Sequence, residues 1–177
     1  MWRILVLASL AVIIPACGGS GSSGGGSSGG GVMSFSDPGI ETFPDEGNAH
    51  VPVGTDIAYN TDPPTSGSHY PDPQPGGYYT TPIAPGFLVH SLEHGAVVIY
   101  YDSAHVAASD LTKLQNLAAA HPGNFGQVVV VPRTDAAFPI ILTAWTHRLR
   151  LTVYEQSRID GFVALFLGNG PEAPPMP

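Results

Sequence analysis

Apolar positions fall into short blocks separated by glycine and proline, and the densest block runs from Ala96 to Tyr101 without a polar residue. Its β-branched and aromatic content reads as a strand covered on both faces, the centre of a sheet. Gln127 to Val131 and Pro139 to Trp145 are two further apolar strands, and Arg148 to Val153 alternates charged and apolar residues like a half-exposed fourth. Between them, Ser109 to Ala120 puts Leu111, Leu114, Leu117 and Ala118 on one helical face. Thr112 and Gln115 resemble a capping box there, and His121-Pro-Gly123 is a stop signal. A last helix uses Ile159, Phe162, Val163 and Phe166 and ends at Gly168. This order predicts a single α+β (or α/β) domain, with a sheet of four or five strands and two helices on one face. No internal repeat is visible.

Upstream the pattern loosens. His50-Val-Pro-Val-Gly54 and Ile57-Ala-Tyr-Asn60 suggest short extended pieces, and Asp62 to Gly77 is so rich in proline and glycine that regular structure is excluded. A loop of this length in a small domain is either disordered or functional. The tyrosines and His69 favour a long ordered loop packed on the domain. At the N-terminus, Arg3 followed by the apolar run Ile4 to Ile14 reads as a signal peptide over residues 1–16. Ile14-Pro-Ala-Cys17-Gly18 resembles a lipobox, so Cys17 is the expected lipidation site; an ordinary cleaved signal is the alternative. Gly18 to Gly31 contains only glycine and serine, a flexible tether with a reach of about 20 Å. The expected layout is a lipidated cysteine and linker over 17–47, a folded domain over 48–172 and a proline-rich tail over 173–177. Such a protein sits at the cell envelope on the extracytoplasmic side, anchored to a membrane by lipid without a spanning helix. Gly18, rather than aspartate, permits an outer membrane where the organism has one.

Composition narrows the functions. The chain has 177 residues and a formal charge of -8, so it offers no basic patch to a nucleic acid. Cys17 is its only cysteine. An intramolecular disulfide is therefore impossible, and a thiolate metal site in the domain would have to recruit the lipidated residue.

Pro63-Pro-Thr-Ser-Gly-Ser-His-Tyr70, Leu88-Val-His-Ser-Leu-Glu-His-Gly-Ala-Val-Val-Ile-Tyr-Tyr101 and Leu142-Thr-Ala-Trp145 resemble the bacterial family called domain of unknown function 3105, over roughly residues 48–172. The resemblance implies a secreted or membrane-tethered protein and suggests copper binding by His69, His90 and His94, with His50 as a weaker match. Ser68 stands where the family pattern often has proline.

The residues themselves point the same way. His90 and His94 are four apart, so they share a side in a helix and in a strand alike. With His69 from the loop they form the candidate metal site. Imidazole suits copper, zinc, iron and nickel; an extracytoplasmic location without a free thiolate favours copper, with zinc as the alternative. A blue-copper centre is excluded when Cys17 is lipidated. A histidine-only Cu(II) site, or a Cu(I) site completed by Met176, stays open. Glu93 points away from the pair if the segment is extended, which makes it a hydrogen-bond partner behind the ligands rather than a ligand. His105, His121 and His147 read as surface residues, and the tyrosines as packing groups. Two other readings compete. One is an envelope protein–protein interaction module with structural histidines, its partner or self-association unknown. The other is a zinc-dependent hydrolase on the H-x-x-E-H pattern of His90 to His94, with Glu172 as third ligand. That motif needs a helix, and here a glycine and a strand follow at once. No nucleophile elbow or phosphate-binding loop is present, so no catalytic residue is assigned.

Overall fold

The strand Val97–Tyr101 (β3) is central in a computed structural model that describes residues 35–174. It pairs in parallel with β4 (Val128–Pro132) and antiparallel with β5 (Ile140–Ala144). β5 turns into β6 (His147–Leu151), and the short strands β1 (Ile40–Thr42) and β2 (Gly77–Tyr78) close the two edges, giving the order β1-β6-β5-β3-β4-β2. The alternation of side chains along each strand sorts the core into two layers. Val97, Ile99, Tyr101, Val128, Val130, Leu142 and Leu149 face helices α2 (Ala108–Ala120) and α3 (Gln156–Phe166), which contribute Leu114, Ala118, Ile159 and Phe162. Val98, Tyr100, Val129, Val131 and Ile141 face the other way, onto Leu88, Val89 and Leu92 of helix α1 (Pro85–Glu93).

The domain is thus mixed α+β with six strands and three helices, against an expectation of four or five strands and two helices. The two extra strands are two and three residues long; they have no period of their own and owe their extended state to the neighbour they pair with. The third helix, α1, covers the sheet face opposite α2 and α3. Pro85 stands at its first turn, where a missing N–H costs nothing. The capping-box reading of α2 is also corrected. Its N-cap is Ala107 without a side-chain bond, and the Thr112 hydroxyl donates back to the Ala108 carbonyl at 3.0 Å.

The linker expected over 17–47 gives way before its end, because β1 lies inside it and pairs with β6. Glu41 accepts from Arg148 at 2.9 Å and from Arg150 at 3.0 Å, and Asp37 accepts from Arg158 at 3.0 Å. The Arg148 hydrogen bond holds the Glu41 carboxyl below its ordinary 4.5, and the Arg158 bond holds Asp37 below 3.8. Their stabilisation is present above those unfolded values and is lost as pH falls through them towards the depressed folded values. The urea midpoint of the parent is therefore expected to fall more between pH 5 and pH 3 than that of Glu41→Gln. The difference should be about 1 kcal/mol or less, since both pairs are partly exposed. Equal slopes would show that the pairs contribute nothing. Cys17, the signal region 1–16, the Gly18–Gly31 tether and Met176 lie outside the described residues. Among the described residues, no helix is long and apolar enough to cross a membrane.

The long loop before α1 is ordered by backbone and tyrosine bonds. Tyr59 donates to the Ser68 carbonyl at 2.9 Å and Tyr70 to that of Thr55 at 3.1 Å. A Cβ at Gly86 would sit 2.7 Å from the Tyr70 ring, so glycine there lets the loop lie flat against the start of α1.

Candidate metal centre

Three separate segments converge at the end of α1. The helix places His90 and Glu93 on one side, at i and i+3, and His94 follows as its C-cap residue. The Val51 N–H donates to the His69 carbonyl at 2.8 Å and the His69 N–H to that of Ala49 at 3.0 Å. This isolated parallel bridge between His50 and His69 brings the two histidines side by side. The outcome is a nearly equilateral triangle of imidazoles, with ring centres 4.8 Å apart for His50 and His69 and 4.9 Å for each of the other two pairs with His90.

Glu93 belongs to this group. Its Oε2 lies 2.9 Å from His69 Nε2 and 3.9 Å from His50 Nε2, and donor atoms of His50, His69, His90 and Glu93 all fall within 4.8 Å of one another. The extended backbone that would turn Glu93 away is not adopted: the segment is helical, and the helix turns the carboxylate inward. The same fact removes the objection that no helix underlies the H-x-x-E-H pattern. A start signal was present at Ala84-Pro85-Gly86, but the strand that follows masks it.

Proton placement shows what the cluster lacks. His69 Nδ1 lies 2.9 Å from the Gly67 carbonyl and His90 Nδ1 2.6 Å from that of Tyr70. A carbonyl only accepts, so each ring carries its proton on Nδ1 and turns the Nε2 lone pair to the centre. This is the arrangement in which backbone carbonyls orient metal-binding histidines. His69 Nε2 and both Glu93 oxygens are buried without a hydrogen-bond partner, although His69 and Glu93 are 2.9 Å apart. Two lone pairs facing each other at that distance call for a cation between them, either a proton that makes His69 an imidazolium or a metal ion. Burial, foremost, lowers the His90 pKa; the bond to Tyr70 opposes this, and the neighbouring His94, His69 and His50 reinforce it. A neutral imidazole is the form that binds metal.

The spacing suits an ion. Tetrahedral coordination at about 2.0–2.1 Å sets donor atoms about 3.3 Å apart, and the separations of 2.9 and 3.9 Å bracket that value. The set of three imidazoles and one carboxylate can therefore hold a metal with small side-chain adjustments. His69, His90 and Glu93 form a buried floor, while His50 is 48% exposed and leaves the rim open.

His94 stands beside this group. Its Nε2 is 3.1 Å from His90 Nε2, its Nδ1 faces the Asn124 carbonyl at 3.1 Å, and it groups with Glu93 and Glu172. The half-exposed His105 pairs with the buried Asp102, and His147 packs on Phe166. Neither they nor His121 enters the cluster. Two surface pockets of about 200 and 160 Å³ are lined by neither the histidines nor Glu93.

The family described as "Protein of unknown function (DUF3105)" matches residues 50–176. No curated protein and no solved structure matches the chain. With most of its length covered, and with the His50, His69 and His90-to-His94 segments all inside the match, the chain belongs to the DUF3105 family.

Proposed function

We propose that this protein captures a transition-metal ion, copper before zinc, at the extracytoplasmic side of a membrane to which a lipidated Cys17 anchors it. The observation that carries the metal reading is the buried Glu93 carboxylate, without a hydrogen-bond donor on either oxygen, beside three converging imidazoles. Copper(II) heads the affinity order for a nitrogen and oxygen donor set, and an envelope location would expose the site to it. The carboxylate favours Cu(II) over Cu(I). An exposed His50 over a buried floor suits uptake and release of the ion, and so metal handling rather than electron transfer. The lipid anchor rests on Ile14 to Gly18.

The test is metal content with electron paramagnetic resonance on the full chain, beside a His90→Ala/His94→Ala variant. Stoichiometric copper with a histidine-type signal, absent from the variant, is expected. A parent that takes up neither copper nor zinc would sink the reading and favour the interaction module.

The hydrolase reading gains one observation, because His90 to Glu93 is helical and His90 and His94 bring their Nε2 atoms within 3.1 Å. It stays second, since Glu93 is 1% exposed and its Oε2 is turned to His69. Peptide hydrolysis lost on Glu93→Gln with zinc retained would promote it.

A further inference from the structure

We propose that the site holds two metal ions bridged by Glu93, one on His50, His69 and His90 and the other on His94 and Glu172. The inference rests on the metal-binding reading above and adds a second ion to it. Oε2 of Glu93 is turned to His69 and His50, at 2.9 and 3.9 Å. Oε1 is equally buried and equally without a donor. A carboxylate serving one ion through one oxygen would leave the other desolvated and unpaired, which is costly. A bridge satisfies both.

The second seat has its own donors. His94, Glu172 and Glu93 offer atoms that all lie within 4.8 Å of one another, with His94 Nε2 3.9 Å from Glu172 Oε2. The Asn124 carbonyl, 3.1 Å from His94 Nδ1, keeps that ring's proton away from Nε2. Phe125 stacks on the ring at 4.3 Å and fixes its plane. Glu172 is brought here by the backbone: its N–H donates to the Glu93 carbonyl at 3.0 Å, and the Gly168 N–H donates to that of Gly95 at 2.7 Å. Any Cβ at Gly170 would overlap the backbone of Glu93 and Gly95, so the approach depends on glycine.

The contact between the seats fits the same picture. His90 and His94 both hold their protons on Nδ1, which leaves two Nε2 lone pairs opposed at 3.1 Å. Lone pairs opposed in this way repel. A proton between the two nitrogens relieves the repulsion, and so do separate cations, one for each nitrogen; paired metal ions in such sites sit about 3.5–4 Å apart. Glu172 is 53% exposed and His94 12%, so the second seat lies on the solvent side. Its one imidazole and two carboxylates make it the harder site, suited to a divalent ion.

The experiment titrates the full chain with Cu(II) alone and, separately, with Zn(II) alone, and counts bound metal after buffer exchange. Two ions per chain are expected. In the copper form, spin coupling should hold the integrated resonance signal below the copper content. Glu172→Ala, at an exposed position whose backbone bond is retained, should bind one ion per chain and return the signal to full intensity; His94→Ala should do the same. One ion in the parent, or two retained in either variant, overturns the bridge and leaves the single-ion reading standing. No bound ion in the parent removes both.

Discussion

Replacing Glu93 by glutamine should weaken metal binding by more than about 100-fold, beyond the loss typical of an outer-shell partner, while leaving the metal-free fold as stable as the parent or more so. The two effects have opposite signs for one reason. Glu93 is buried with no hydrogen-bond donor on either oxygen, so without a cation beside it the carboxylate is a desolvation burden on the fold. Glutamine has nearly the same shape and no charge. Its amide N–H can donate to His69 Nε2, whose ring proton is engaged with Gly67 2.9 Å from Nδ1. With free metal at 100 times the dissociation constant, the parent gains about 2.7 kcal/mol on loading, and a variant 100-fold weaker gains about 0.4 kcal/mol. Urea unfolding of both proteins, with chelator and with metal, reads all four states. A metal-free Glu93→Gln protein destabilised by about 3–5 kcal/mol would instead mark the His69–Glu93 contact as a structural ion pair.

Phe162→Ala should cost about 3–5 kcal/mol, the range for deleting a buried aromatic ring and a large part of a typical folding free energy of about 5–15 kcal/mol. Phe162 is fully buried on α3. It packs into the layer formed by Ile99, Leu142 and Leu149 and touches Phe166 with ring centres 4.6 Å apart. That layer lies across the sheet from α1, so metal affinity measured under conditions where the variant is folded should stay within a factor of a few of the parent. A midpoint shift worth under about 1 kcal/mol would mean that α3 does not close this side of the core. A large loss of affinity would mean that the two faces are coupled.

The central strands and both later helices were legible because their signals are local. β3, β4 and β5 are written as unbroken apolar runs, and α2 and α3 as apolar stripes at helical spacing; each pattern survives whatever the rest of the chain does. α1 was harder to read. Nine residues carry too few turns to show a stripe, and the helix passes through Gly95 straight into a strand. At the site, His69, His90 and His94 were recognisable as residues, and His50 as a further candidate. Their division into a group of three with Glu93, and His94 set beside Glu172, was not.

The sequence by itself determined which segments are helix or strand in the sheet's core, which face of each is apolar, and which residue types are available for a metal. Those properties follow from periodicity and side-chain chemistry, both of which act within a few residues. Only the tertiary structure decided that β1 and β2 are strands and that Glu93 turns inward. It also decided that His50 and His69 meet His90 at ring separations of 4.8 to 4.9 Å. The direction of a side chain towards a distant segment depends on backbone pairing and packing between segments. Here the bridge from residue 50 to residue 69 and the return of residues 168–172 onto the end of α1 do that positioning, and neither leaves a trace in local spacing.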